Sequence, residues 1–440
     1  MSESTANVAF DSKPATGTHP GGRLALVLLT LIGTINFVDR QLLAVLVEPI
    51  LQDLHFSDTV FGLLTGLCFA LFYATMGVPV AMVADRVNRV RLVAAACTVW
   101  SIFSGACGLA TSFWQLAFAR FGVGIGEAGG TAPSLSILAD YYPPEKRPAV
   151  IGMFTVNGPL GVFIGISFGG WAAAQFGWRG AFFMVAILGV CLAPLLLLLV
   201  REPKRGATET RRVAEDAPAL SLASTVRLFL RLPTLRLLLL GSGASAFVSY
   251  GLLNWIPAYL MREAGMSLPQ LSAWFGPAAG ICMGIGIWGG GTIVNIGARK
   301  SLTAYAWAPA IAILVGVPVF IMALFVPGWP LALALMLLPM ICITIYVAPA
   351  LALVQNLAPL RARATATALL LLAFNIVGLG LGPLSIGIVS DLLSAAGVAH
   401  SLRWALLCTA PAALVAGVAY ILMARTIVAD SAATVKEQAL

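Results

Sequence analysis

Asp39 and Arg40 stand side by side within LALVLLTLIGTINFVDRQLLAVLV, an apolar run long enough to cross a bilayer, and Arg120 and Glu127 interrupt a second run, WQLAFARFGVGIGEAGGTAPSLSIL. An ionised group at membrane depth costs about 3 kcal/mol or more unless it is paired or hydrated. Four of them in one half of a chain suit a polar site that binds an anion, relays protons, or does both. Asp39 and Glu127 are the proton-titrating candidates. Arg40 and Arg120, with Asn36 one turn before Arg40, are candidates for holding a substrate anion or an internal partner. A static ion network bracing the helices would use the same residues. Neighbours on a helix point about 100° apart, so Asp39 and Arg40 need different partners. Arg120 and Glu127 are nearly two turns apart and share one face, about 10 Å from each other along the axis. The first and fourth runs cross in opposite directions, which puts Asp39 near Arg120 in depth and leaves Glu127 for Arg40.

Hydrophobic residues make up 60% of the 440 and charged residues 10%, against about a quarter charged in a soluble domain. That composition describes a polytopic membrane protein. The net charge of +8 lies in short loops, where it sets orientation and is no sign of a nucleic-acid partner. Twelve runs approach the roughly 20 residues a spanning helix needs. They are 24–48, 59–83, 91–111, 114–139, 149–174, 181–200, 236–260, 270–294, 301–326, 330–356, 365–390 and 402–424. Loops after even-numbered runs hold Arg86, Arg89 and Arg91, then Lys146 and Arg147, a basic stretch through 201–231, Arg299 and Lys300, and Arg361 and Arg363. Loops after odd-numbered runs hold only Arg179, Arg262 and Arg403. By the positive-inside rule both termini face the cytoplasm.

The expected fold is therefore an all-α membrane protein with twelve transmembrane helices in two six-helix bundles. Its parts are a disordered tail at 1–22, a first bundle at 23–200, a cytoplasmic linker with a short amphipathic helix at 201–235, a second bundle at 236–425 and a C-terminal tail at 426–440. AMVADRVNRVR after the second run is echoed by GGTIVNIGARK after the eighth, which fits parallel halves around a central pathway. All seven cysteines fall in apolar runs without CxxC spacing and read as small buried packing residues.

These features resemble the major facilitator superfamily. AxxADRxNRVR at 81–91 is similar to its loop signature between the second and third spans, with Ala81 and Asn88 where glycines are usual. The stretch from Arg120 to Ala128 is similar to its fourth-span motif, and NGPLG at 157–161 to its Gly-Pro motif. Within the superfamily, NFVDRQ at 36–41 and GVGIGEAGGTAPSLSILADYYPPEKR at 122–147 resemble the spinster-type lipid transporters, which are associated with lysophospholipid and sphingosine-phosphate transport. Organic-anion and sugar-acid transporters carry a similar first-span Asn-aromatic-x-Asp-Arg, so the substrate stays open between these classes. The resemblance also implies a gate latch. The aspartate of the loop signature, Asp85, would cap the start of the eleventh span and bridge to charges at the end of the fourth, here Asp140, with Arg86 and Arg89 beside it. A carboxylate at a helix N-terminus meets unpaired N–H groups and a positive dipole. The second-half loop has Val294 and Asn295 where Asp-Arg would stand, so the latch is one-sided.

Between Glu263 and Asp391 there is no Asp or Glu, so a proton-driven carrier must keep its coupling carboxylates in the first half. The second half instead offers Tyr250, Asn254, Trp255, Tyr346 and Asn375 as an apolar-aromatic pocket wall; taken singly, each also suits an interface aromatic or a packing amide. The Gly-rich segments lie inside apolar runs with no strand before them, and serve close helix packing rather than nucleotide binding. There is no nucleophile–base set and no metal-ligand cluster, and His19, His55 and His400 are peripheral. An enzyme, a cofactor and a metal are thereby disfavoured. The reading is a monomeric, proton-coupled carrier in the plasma (bacterial inner) membrane, working by alternating access on an amphipathic anionic lipid such as a lysophospholipid or sphingolipid-like molecule. The alternatives are a small organic anion or sugar acid as cargo, and a non-transporting lipid scramblase or receptor-like membrane protein.

Overall fold

In hydrocarbon no water is present to satisfy backbone N–H and C=O groups, so long apolar runs fold as helices. The computed structural model describes residues 21–84, 86–205, 222–359 and 362–439, and among them there is no strand. Ten of the described helices are long and apolar enough to cross a membrane. That is two fewer than the twelve runs, for two local reasons. The fifth and sixth runs form one element, Arg147–Leu199, redirected at Gly177, whose φ of 72° and ψ of 167° favour glycine over any side-chain-bearing residue. The fourth run is divided into Phe113–Glu127 and Thr131–Tyr141 by a turn over 128–130, where two successive glycines weaken the helix. Neither piece is long enough to span alone.

Residues 1–20 and 206–221 of the expected tail and linker lie outside the described residues. The end of the linker forms a helix, Leu222–Arg231, that buries Thr225 and Phe229 and exposes Leu230. The expected C-terminal tail continues the last helix. Helix Ala410–Ala439 runs on through it, and Asp430 accepts a 2.8 Å hydrogen bond from the backbone N–H of Thr234. A carboxylate thus satisfies an orphan donor at the start of helix Pro233–Arg262. Of the seven unpaired cysteines, Cys191 and Cys408 are exposed rather than buried, because a spanning helix buries only the face turned toward its bundle.

The apolar core shows how the halves meet. One cluster mixes both halves, joining Leu43, Phe61 and Val162 to Trp255, Phe275 and Ile386. Farther along the same helices the core separates. Leu29, Trp100, Ile137 and Leu196 form one cluster, and Leu238, Tyr346, Leu370 and Tyr420 another. The halves are packed together toward one face and parted toward the other. Where they meet, helix Asp58–Ala84 lies on Thr365–Ala395, and the first part of Arg147–Leu199 on Leu268–Ala298. Backbones approach closely there: a Cβ on Gly387 would fall 2.3 Å from the Asp58 carbonyl oxygen, and one on Gly280 2.7 Å from that of Pro159. Three of these four helices carry a wide π-type turn, at Leu63–Leu67, Leu271–Phe275 and Phe374–Leu381. Such turns are frequent at functional sites.

Candidate functional site

Asp39 and Arg40 reach from helix Gly22–Val45 to helix Phe113–Glu127. Asp39 is fully buried, and its Oδ2 accepts from Arg120 Nη1 at 3.1 Å while the Ser104 hydroxyl donates to Oδ1. Arg40 Nε donates to Oε2 of the fully buried Glu127 at 2.6 Å. Two sequence neighbours therefore pair with residues seven positions apart on the facing helix. The rise between neighbours is only about 1.5 Å, so the length of the Arg40 side chain makes up the difference in depth. The two pairs carry no net charge, which is what lets four ionised groups sit this deep. Glu127 is the last residue before the break at 128–130. Its Oε1, and Nε and Nη2 of Arg120, have no hydrogen-bond partner among the described residues.

Arg40 is also ringed by aromatic faces. Its guanidinium carbon lies 5.3, 4.8 and 4.6 Å from the ring centroids of Phe37, Phe69 and Tyr73. Each such contact contributes about 0.5–2 kcal/mol. Together they restrain a side chain that would otherwise sample many rotamers. Replacing both Phe69 and Tyr73 by Leu is expected to speed phenylglyoxal modification of Arg40 several-fold, measured peptide by peptide by mass spectrometry. An unchanged rate would mean that Glu127 alone positions the guanidinium.

Between the halves lies a cavity of about 410 Å³. Its first-half wall includes Arg40 and Arg120 but neither Asp39 nor Glu127, so the arginines face the cavity and the carboxylates stand behind them. Its second-half wall includes Tyr250, Asn254, Tyr346 and Asn375, with Met340 and Phe374. The Asn254 and Asn375 amide nitrogens each donate one turn back, to the carbonyls of Tyr250 and Leu371 at 2.9 Å.

Other expected site residues lie elsewhere. Trp255 is not on the cavity: its indole N–H donates to the Pro383 carbonyl at 2.8 Å and its ring meets Phe61 edge-on. The helical turn of about 100° per residue that aims Asn254 at the cavity aims Trp255 away from it. Asn36 is buried and does not line the cavity, where its neighbour Phe37 does. Asp85, and residues 360–361 at the start of the eleventh span, lie outside the described residues. Arg86 is exposed in a turn. Arg89 and Asp140 do meet, at 2.6 Å, but inside the first half. Arg89 also holds Glu202 at 2.7 Å, tying helix Arg89–Cys107 to the end of Arg147–Leu199.

The sequence reading missed Glu202, the rings around Arg40, and a cluster of Glu48, Asp58, Arg262 and Asp391 at the face where the halves are packed. Phe69 and Tyr73, four apart on one run, were a visible signal for the second. The third had almost none, since its members look like ordinary charges at the edges of loops.

Comparison with known proteins bears on this arrangement. The profile of the Major Facilitator Superfamily matches residues 29–312. An MFS-type efflux pump of Mycolicibacterium smegmatis is 34% identical over 89% of this chain and 90% of its own length. A hexuronate transporter of Bacillus subtilis is 30% identical, and protein spinster homolog 1 of Homo sapiens 31% identical, each over 56% of this chain; the matches span 58% and 48% of those proteins. The crystal structure of a bacterial homolog of the human lysosomal transporter spinster, inward-facing and unoccupied, superposes with a TM-score of 0.87 at 31% identity, covering 94% of this chain and 99% of that one. These relatives are transporters rather than enzymes. Sequence shared over well more than half of the chain, and a fold shared over nearly all of it, place this integral, multi-pass membrane protein in the Major Facilitator Superfamily.

Proposed function

We propose that the protein is a secondary active transporter that works by alternating access, couples to protons through Asp39 and Glu127, and carries an amphipathic anionic lipid such as a lysophospholipid or sphingolipid-like molecule. The two-walled cavity carries this reading. Arginines stand in front of buried carboxylates on one side, and among the described residues the other wall has no charged side chain. An anionic head engaging Arg40 or Arg120 competes with the carboxylate behind it. A carboxylate left buried without its partner is costly until it takes up a proton. Substrate binding and protonation are thereby linked in one site.

The chain crosses the membrane twelve times, in bundles at 23–200 and 236–425 with both termini cytoplasmic. Support comes from the redirection at Gly177, which makes two crossings of one element, and from the two pieces of the fourth run, which together make one. The Lys/Arg-poor loops lie at the face where the halves pack, so the cavity opens inward. The likeness to an inward-facing spinster homolog agrees. The protein works as a monomer in the plasma membrane, the inner membrane of a bacterium. A second reading, a small organic anion or sugar acid as cargo, draws on the hexuronate relative.

A lysophospholipid series separates the two. Each added tail CH₂ that is buried should tighten binding about fourfold, at about 0.8 kcal/mol per CH₂, until the wall is covered. Flat affinity across the series, with hexuronates or dicarboxylates competing, replaces the lipid reading by the small-anion one. Proton-driven accumulation in liposomes excludes a scramblase or receptor.

A further inference from the structure

The charged cluster at the closed face lies outside the cavity and has no part in the site just described. Asp391, near the end of helix Thr365–Ala395 in the second half, accepts from the backbone N–H of Asp58 at 3.1 Å and of Thr59 at 2.8 Å. Those are two of the orphan donors at the start of helix Asp58–Ala84 in the first half. Ser57 caps the same turn from within its own helix, through the Val60 N–H. The Asp58 side chain is held from the second half as well: Arg262 donates to both of its oxygens at 2.8 Å, and the Ser390 hydroxyl to Oδ2 at 2.7 Å. Arg262 Nε also reaches Glu48 of the first half. Beneath this lies the close approach of Gly387 to the Asp58 backbone, which leaves no room for a methyl group.

We propose that Asp391, Ser390 and Arg262 form the latch of the outer gate, with Asp391 acting as a helix cap supplied across the interface between the halves. The proposal rests on the alternating-access reading above. It uses the same two helices as the expected Asp85 latch, at their opposite ends: one helix's last turn caps the other's first. The cap can exist only while the halves are closed at this face. Opening outward uncovers two backbone donors and separates Arg262 from Asp58, and closing restores them together, so the gate has two discrete states. Gly387 sets how near the helices come and therefore whether the cap can reach.

The test measures distances between nitroxide labels in the full chain, freed of native cysteines and reconstituted in nanodiscs. One pair, Thr111→Cys with Val398→Cys, reports the outer face, and another, Lys146→Cys with Lys300→Cys, the inner. Asp391→Ala should raise the outward-open to inward-open ratio about tenfold, as loss of a charged cap shifts a balanced equilibrium. Gly387→Ala, which leaves every latch side chain in place, should do the same by holding the helices apart. In both variants the inner pair should shorten as the outer one lengthens, a reciprocal change that misfolding would not give. Wild-type protein that samples two states, with both variants superimposed on it, overturns the latch. Wild-type protein with a single state at both faces overturns the alternating-access reading on which it rests.

Discussion

Liposomes carrying the Glu127→Gln protein are expected to exchange substrate across the membrane yet fail to accumulate it when a pH gradient is imposed. Glutamine keeps the size of the side chain and an oxygen for Arg40 Nε, but it cannot take up or release a proton. Arg40 tolerates the change because it faces the cavity, with 14% of its side chain exposed, inside its collar of three rings. Binding and rocking should therefore survive while the driving force is disconnected, and accumulation should fall at least tenfold. Asp39→Asn should behave likewise if both carboxylates carry protons. A variant that accumulates substrate like wild type removes that carboxylate from the coupling role and leaves it a structural ion pair.

The second large effect is on stability. Arg120→Ala strands Asp39, which is fully buried and, among the described residues, keeps only the Ser104 hydroxyl as a donor. Breaking a buried pair from one side costs about 3–5 kcal/mol, because a charge is left without compensation. Removing both charges together, in Asp39→Asn with Arg120→Gln, should recover most of that loss while leaving transport impaired. Unfolding midpoints in one detergent, read beside those of Arg86→Ala at an exposed turn, decide the matter. If Arg120→Ala unfolds no earlier than Arg86→Ala, the pair does not brace these helices.

Both expectations were within reach of the sequence because membrane charges are costly and few. Once Asp39, Arg40, Arg120 and Glu127 were seen in apolar runs, spacing and antiparallel direction left one sensible pairing, and that is the pairing found. The cavity's second wall was less legible. Aromatic and amide residues are ordinary in spanning helices, and a one-residue step separates Asn254 on the cavity from Trp255 behind it. The outer cluster was hidden for a different reason. Asp58 and Asp391 are 333 residues apart, and nothing in either neighbourhood announces the other. Hydropathy is silent at two helix ends: glycines at 129–130 divide a run that reads as continuous, and the last helix continues past 425, where Asp430 accepts from the Thr234 N–H.

The π-type turn at Leu63–Leu67 has a consequence for the length of its helix. Such a turn accommodates one residue more than an α-helix of the same axial extent, so residues before and after it are out of phase by about 100° relative to an uninterrupted helix. Asp58 lies before it and the cavity-lining Phe69 and Tyr73 after it. The wide turn absorbs the surplus residue locally, so both ends of this helix keep the faces they would have in an α-helix one residue shorter. Deleting one residue within Leu63–Leu67 would let the turn close to α geometry with Asp58 still toward Arg262, whereas inserting one elsewhere in the helix would rotate the outer end against the inner one by about 100°. This stretch can lose a residue and keep its orientation, but it cannot gain one.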